Sequence, residues 1–256
     1  MLVGGFGRTT DGAADTPPAA GSRLENGPLL VYHAVMDGER KPGTVAILFE
    51  NDDYIAVDKP EGVVSLAEAG RGGLPELLKE RHPGRLYPVH RLDKEASGVI
   101  VFAKNAEAHR HLNQEFDRRR VKKTYLLVLH GRLRTRKGKI DKPIREFGSG
   151  RMGVDRARGK ASLTEYEVVE TLKDYTVVRA VPLTGRRHQL RVHFYSIGHP
   201  VVGDRRYGER QAQEAYPRLM LHSLDIAFGL PSGEKVSVEA PVPPSFSSQL
   251  EALRRS

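Results

Sequence analysis

The chain has 256 residues, 39% of them apolar, enough for one domain with a full core. It contains no cysteine, which excludes disulfide scaffolds, thiolate zinc sites and cysteine nucleophiles and suits a reducing interior. The formal net charge is +9, and the stretch from Arg118 to Lys139 holds ten Lys and Arg with no Asp or Glu, so it carries the whole excess; such a stretch is either the footprint of a polyanion partner or a solvated basic face.

Residues 1–28 are rich in Gly, Ala, Pro, Thr and Asp. Little there can bury enough surface to offset the entropy of ordering, so a disordered tail is predicted, followed by one domain over 29–256. The first residues lack the basic start and apolar core of a signal peptide. No apolar run approaches membrane-spanning length, so a soluble cytoplasmic protein is expected.

Leu29-Leu30-Val31-Tyr32 reads as a first strand. Residues 46–50 and 54–57 are short apolar runs split by Asn51-Asp52-Asp53, a hairpin signature ended by Lys59-Pro60-Glu61-Gly62. A short helix is predicted over 74–80, stopped at Pro83-Gly84. Then comes His90-Arg91-Leu92-Asp93-Lys94-Glu95-Ala96-Ser97-Gly98, running into Val99-Ile100-Val101-Phe102-Ala103-Lys104. It places one short carboxylate in a polar loop mounted on a stiff strand, where a reactive group is well held.

Residues 106–119 read as a helix with Leu112 and Phe116 at i, i+4, and 122–131 as a strand with Tyr125 near its start. Residues 132–159 read as irregular, polar and basic. Strands follow over 162–170 and 175–181, then a turn at Pro182-Leu183-Thr184-Gly185 and a helix over 186–196. On that helix Gln189, His193 and Ser196 make a polar line; Leu190, Phe194 and Ile197 make an apolar one. Closing strands over 219–228 and 234–239 and a short helix after Pro244 complete an α+β reading with a largely antiparallel sheet.

Several common motifs fail on inspection. The segment from Gly153 to Ala161 has one residue too many between its glycines for a phosphate-binding loop, and Ala161 where a hydroxyl is needed. His90-Arg91-Leu92-Asp93 has the wrong order for a kinase catalytic loop. His188 and His193 lie five apart, not four, so no zinc site is expected. Asp93 remains. By itself it reads as a turn residue capping the backbone of Glu95 or Ala96. As a nucleophile it needs partners, and two are available. Arg191 can hold a carboxylate ionised through a paired hydrogen bond, or be a surface arginine beside Gln189. Tyr125 offers a flat face for stacking on a base and one hydroxyl, or is an ordinary strand aromatic.

With these stretches assembled, the chain resembles the RluA-type pseudouridine synthases. His90-Arg91-Leu92-Asp93 with Ser97-Gly98 and the strand ending Ala103-Lys104 is similar to the signature around that family's catalytic aspartate. Lys123-Thr124-Tyr125 resembles its tyrosine strand. The run from Thr184-Gly185-Arg186 to Val192-His193, with Gly198-His199-Pro200, Gly203-Asp204 and Tyr207-Gly208, resembles its third motif. The three occur jointly and in order, and the resemblance runs from about Ile47 to Pro244. Ala96 stands where the family usually has threonine, and Arg187 where it usually has a small hydroxyl residue. Residues 1–28 leave no room for the S4 domain that many relatives carry ahead of the catalytic part.

The resemblance implies the family's catalytic domain, with flanking helices and a central cleft, isomerising uridine in ribosomal or transfer RNA without metal, nucleotide or other cofactor. Asp93 is then the nucleophile, paired with Arg191. Tyr125 stacks on the uracil and takes or relays a proton, and Leu190 is an apolar wall against the base. Arg91 fills the space left by a flipped base, while Arg186, Lys122, Lys123, Lys137 and Lys139 are expected to contact RNA. No long apolar stripe is left over, so a monomer is expected. Two other classes compete: a non-catalytic RNA-binding or ribosome-assembly protein, which would have lost Asp93, Tyr125 or Arg191, and a phosphoryl-transfer enzyme, against which the failed phosphate loop argues.

Overall fold

The computed structural model describes residues 29–33, 45–67 and 72–256, so the predicted 1–28 tail lies outside the described residues. The elements begin with strands β1 (Leu29–His33), β2 (Ala46–Glu50) and β3 (Tyr54–Lys59), the one-turn helix α1 (Leu74–Leu77), and strands β4 (Tyr87–Pro88) and β5 (Ser97–Ala103). Helix α2 (Ala106–Asp117) leads to β6 (Lys122–His130), β7 (Lys137–Asp141), β8 (Ile144–Glu146), β9 (Met152–Val154), β10 (Leu163–Thr171) and β11 (Tyr175–Pro182). Helices α3 (Gln189–Ser196) and α4 (Arg210–Gln213), strands β12 (Leu221–Gly229) and β13 (Lys235–Glu239), and helix α5 (Pro244–Arg255) close the chain.

Local chemistry sets the first hairpin. The Asn51 side chain accepts from the Asp53 and Tyr54 N–H groups, at 3.0 and 2.7 Å, turning β2 back along β3. Asn105 caps α2 by accepting from Ala108 N–H at 2.8 Å, and its amide donates to Asp53 at 2.8 Å. One asparagine thus starts a helix, an arrangement generally worth about 1 kcal/mol, and ties it to the hairpin turn.

The main sheet runs β2-β3-β5-β12-β6-β11-β10-β7, with β13 beside β12, β1 beside β13 and β4 beside β5. Its pairings are antiparallel except β5 with β12 and β1 with β13. Strands β3 and β5 are buried along their whole length. Their alternate residues feed two cores: Ile55, Val57, Ile100 and Phe102 pack with Leu190, Phe194 and Phe246; Tyr54, Ala56, Val99 and Val101 pack with Leu112. This explains their continuous apolar runs.

Gly98 sits where β5 meets β12. Its φ is +109°, and a Cβ there would lie 2.1 Å from the Ser223 carbonyl oxygen. Only glycine lets the Asp93 loop enter the sheet at this point.

Two sequence readings are corrected. Residues 132–159 are not irregular: they form β7 and the separate hairpin β8–β9. Their sequences, Lys137-Gly138-Lys139-Ile140-Asp141, Ile144-Arg145-Glu146 and Met152-Gly153-Val154, are too short and too charged or glycine-rich to show an apolar alternation. The helix predicted over 186–196 begins only at Gln189, because Gln189 Oε1 accepts from Thr184 Oγ1 and Arg186 N–H and holds the preceding residues in a turn. Its polar line is also buried. Gln189 and His193 bond Thr164 of β10, at 3.1 and 2.9 Å, so α3 docks through hydrogen bonds as well as through Leu190 and Phe194.

Candidate active site

Asp93 follows Leu92 in the loop before β5, and segment 59–65 fixes that loop from below. Ser65 Oγ donates to Leu92 carbonyl oxygen at 2.8 Å and accepts from Leu92 N–H at 3.0 Å. Gly62 N–H donates to Lys94 carbonyl oxygen at 2.8 Å. Lys59 is fully buried, and its ammonium donates to the carbonyl oxygens of Pro60, Val63 and Lys94 at 2.9, 2.7 and 3.2 Å. Burial lowers the Lys59 pKa to about 8, against the opposing pull of Asp93, Glu61 and Glu95. The Asp93 carboxylate does not cap its own turn. The turn closes through backbone, Ala96 N–H to Asp93 carbonyl oxygen at 3.1 Å, which leaves the side chain available.

That side chain meets Arg191, which lies on the first turn of α3. Arg191 Nη1 donates to Asp93 Oδ2 at 2.9 Å. The paired hydrogen bond expected between them goes elsewhere. Arg191 Nε and Nη2 donate to Asp204 Oδ2 and Oδ1, both at 2.8 Å, and Asp204 also accepts from the N–H groups of Arg206 and Tyr207. Asp204 is completely buried. It locks the guanidinium and leaves one nitrogen for Asp93. Burial opposes the Arg191 charge, but the hydrogen bond and charge of Asp204, joined by Asp93, outweigh it and raise the pKa further. Gly203, at φ +78°, makes this possible: a Cβ there would lie 1.9 Å from the Arg218 carbonyl oxygen.

Tyr125 is 8% exposed and packs in the same core cluster as Leu92, Ala96 and Leu190. Burial raises its hydroxyl pKa, a hydrogen bond with Ser223 opposes this, and the nearby Asp93 charge adds to the rise. His188, five residues from His193, has a place in this site that owes nothing to metal. It is not in the helix but precedes it, with a left-handed backbone at φ 53°. Its Nε2 stands 3.7 Å from Asp93 Oδ1, and its Nδ1 stands 2.7 Å from Tyr207 Oη. Tyr207 also lies under the Arg191 guanidinium, 5.3 Å from ring centre to Cζ. Asp93, Arg191, Asp204, His188 and Tyr207 therefore form one connected group, with the Tyr125 hydroxyl in reach of its charge. Of these, Asp204, His188 and Tyr207 had no assigned role in the sequence reading. Their signal was their place in the third motif, His188 in the run from Thr184 to His193, Asp204 in Gly203-Asp204 and Tyr207 in Tyr207-Gly208.

His90 supports the loop from behind. Its buried Nε2 accepts the Val101 N–H at 3.0 Å, and desolvation drives its pKa down to about 3, with the Lys123 charge adding to the fall. Lys123 is directed at the Phe116 ring, 5.3 Å away, and burial lowers its pKa. Arg91 and Lys122 are exposed, as is Arg186, whose Nε donates to Ala161 carbonyl oxygen at 3.3 Å.

Lys137 and Lys139 are not brought to this group. They lie across from Glu167 and Glu165 on β10, with ion pairs of 3.0 and 2.7 Å. The intervening residues Thr164 and Tyr166 face α3, so both lysines sit on the opposite face of that part of the sheet. Among the described residues no three His, Asp or Glu side chains gather as metal ligands, and no helix is long and apolar enough to cross a membrane.

The chain is similar to known proteins over most of its length. Residues 53–196 match the family described as RNA pseudouridylate synthase. The chain is 32% identical over 219 residues to the ribosomal large subunit pseudouridine synthase C of Vibrio vulnificus, covering 82% of this chain and 70% of the other. It is 36% identical over 204 residues to the dual-specificity RNA pseudouridine synthase RluA of Escherichia coli, covering 77% and 93%. Among solved structures, human RNA pseudouridylate synthase domain containing 1 superposes with a TM-score of 0.70 at 32% identity, over 86% of this chain and 98% of that one.

Proposed function

The chain belongs to the RNA pseudouridylate synthase family and is an RNA pseudouridine synthase; from that premise we propose that it isomerises specific uridines of ribosomal or transfer RNA with Asp93 as nucleophile. The observation that carries this reading is the Asp93–Arg191 ion pair at 2.9 Å, set beside Tyr125.

The reaction is an isomerisation. The bond from uracil N1 to the ribose C1′ breaks, a bond from C5 to C1′ forms, C5 loses a proton and N1 gains one. No electrons and no phosphate are exchanged. A carboxylate is a weak nucleophile, so placement supplies the advantage. Arg191 holds Oδ2, and Asp93 bonds transiently to the substrate, at the base or the sugar, retaining the two halves while the base turns. Tyr125 remains protonated near neutral pH because burial raises its pKa. It stacks on the uracil and relays the C5 proton, accepting one as it gives up its own.

A paired or stacked uridine reaches Asp93 only by leaving its helix, at a cost of a few kcal/mol. Arg91, next to Asp93 but one, is placed to fill the gap. Contacts to phosphate from Arg186 offset part of the cost, whereas Lys122 shares the face of Lys137 and Lys139. The test is pseudouridine mapping of ribosomal and transfer RNA from cells with and without the gene, together with Asp93→Asn in vitro. The variant is expected to lose all product while binding RNA within about a few-fold of wild type. Retained turnover by Asp93→Asn ends the assignment.

A further inference from the structure

His188 occupies a backbone conformation that residues other than glycine rarely adopt, at φ 53°. Such a conformation is strained and persists only where surrounding contacts over-determine it. Here the contacts place the two ring nitrogens on two different partners, Tyr207 and Asp93.

The proton on that ring can be assigned from the network. Tyr207 Oη accepts the Met152 N–H at 3.3 Å, and its only other partner among the described residues is His188 Nδ1 at 2.7 Å. The phenol hydrogen is thus directed to Nδ1. Burial lowers the His188 pKa; Asp93 opposes this, and Arg191, Arg187 and Arg206 reinforce it. The ring is neutral, Nδ1 is the acceptor, and Nε2 bears the hydrogen. Nε2 faces Asp93 Oδ1 at 3.7 Å, while Arg191 holds Oδ2.

A carboxylate gripped at one oxygen remains free to turn about its last torsion, which is broad and two-fold. A second grip defines its plane. We propose that His188, with its tautomer set by Tyr207, is a positioning residue that orients the Asp93 carboxylate through Oδ1. The contact is electrostatic at 3.7 Å. It shortens by about 0.7–1 Å to hydrogen-bond length when RNA closes the site, as catalytic contacts do. The inference rests on the proposed nucleophile, but its first test does not depend on activity.

That test is the nitrogen spectrum of the histidine rings in the folded, RNA-free protein at neutral pH. His188 is expected to show a protonated Nε2 and an unprotonated Nδ1, and Tyr207→Phe to mix the tautomers. A wild-type ring protonated at Nδ1 overturns the proposal. In kinetics, His188→Ala is expected to lower kcat by about 10²-fold with RNA affinity within about two-fold. His188→Gln, which returns an N–H near the Nε2 position, recovers most of the loss, and His188→Ala with Tyr207→Phe is no worse than His188→Ala alone. A full kcat in His188→Ala, alongside an inactive Asp93→Asn, sinks the positioning role while leaving the nucleophile intact. An active Asp93→Asn sinks the nucleophile instead.

Discussion

Arg191 gives two of its nitrogens to Asp204, each at 2.8 Å, and reaches Asp93 with the remaining one. The guanidinium is thus aimed by a residue that does not itself touch Asp93. Asp204→Asn keeps the shape but removes the charge that holds the fork. Breaking a buried ion pair typically costs 3–5 kcal/mol, so the midpoint of denaturant unfolding should fall clearly. Turnover should fall by about 10²-fold, because Arg191 is no longer held in register with Asp93. Unchanged kcat in a folded Asp204→Asn protein would show that the fork is dispensable.

Two histidines, the half-buried His90 and the fully buried His222, make the fold acid-sensitive. His90 is held near pKa 3 and His222 near 4, both chiefly by desolvation, against 6.5 for a free imidazole. Below pH 6.5 the unfolded chain binds protons that the native state refuses, so stability is lost as pH falls. Each imidazole contributes a slope of up to about 1.4 kcal/mol per pH unit, from 6.5 down to about 4. Urea unfolding at stepped pH measures the slope. Slopes indistinguishable between the wild type and His222→Gln would refute the assignment for His222.

Lys59 acts in the opposite pH range. Its native pKa of about 8 lies below the 10.5 of the unfolded chain. Below pH 8 both states are charged and the native state bears the full desolvation cost. As pH rises from 8 to 10.5 the native state sheds the proton first, and stability rises by up to about 3 kcal/mol on this account. Lys59→Met removes that alkaline rise but leaves the carbonyls of Pro60, Val63 and Lys94 without their donor. The difference in unfolding free energy between the two proteins should therefore depend on pH above 8; a constant difference would show that Lys59 does not titrate there.

The placement of the basic stretch can be checked by salt dependence. Arg186→Gln is expected to lower the slope of log affinity against log salt by about one. Neutralising Lys137 and Lys139 together is expected to leave it unchanged, since they sit on the face away from α3 beside Glu167 and Glu165. A drop of about two on removing the lysines would place RNA on that face, as the count of charges had suggested.

The amino-acid order by itself determined the elements with strong local pattern. The hairpin around Asn51, the strand that carries Asp93, the helix capped by Asn105 and the closing strands are legible because period-2 runs and turn residues act over a few positions. The joint spacing of three motifs also pointed to Asp93, Tyr125 and Arg191. Distant partnership was decided only by tertiary structure. Arg191 meets Asp93 from 98 residues away, and the choice of Asp204 for the paired hydrogen bond depends on how the Gly203 turn packs against the Arg218 backbone. His188 left the predicted helix because Gln189 captured the Thr184 hydroxyl and the Arg186 N–H, a competition no periodicity records. The lysines of β7 looked uncompensated because their acids lie on the neighbouring strand. Charge and shape at a site are properties of neighbours in space, and the chain order specifies those only through the whole fold.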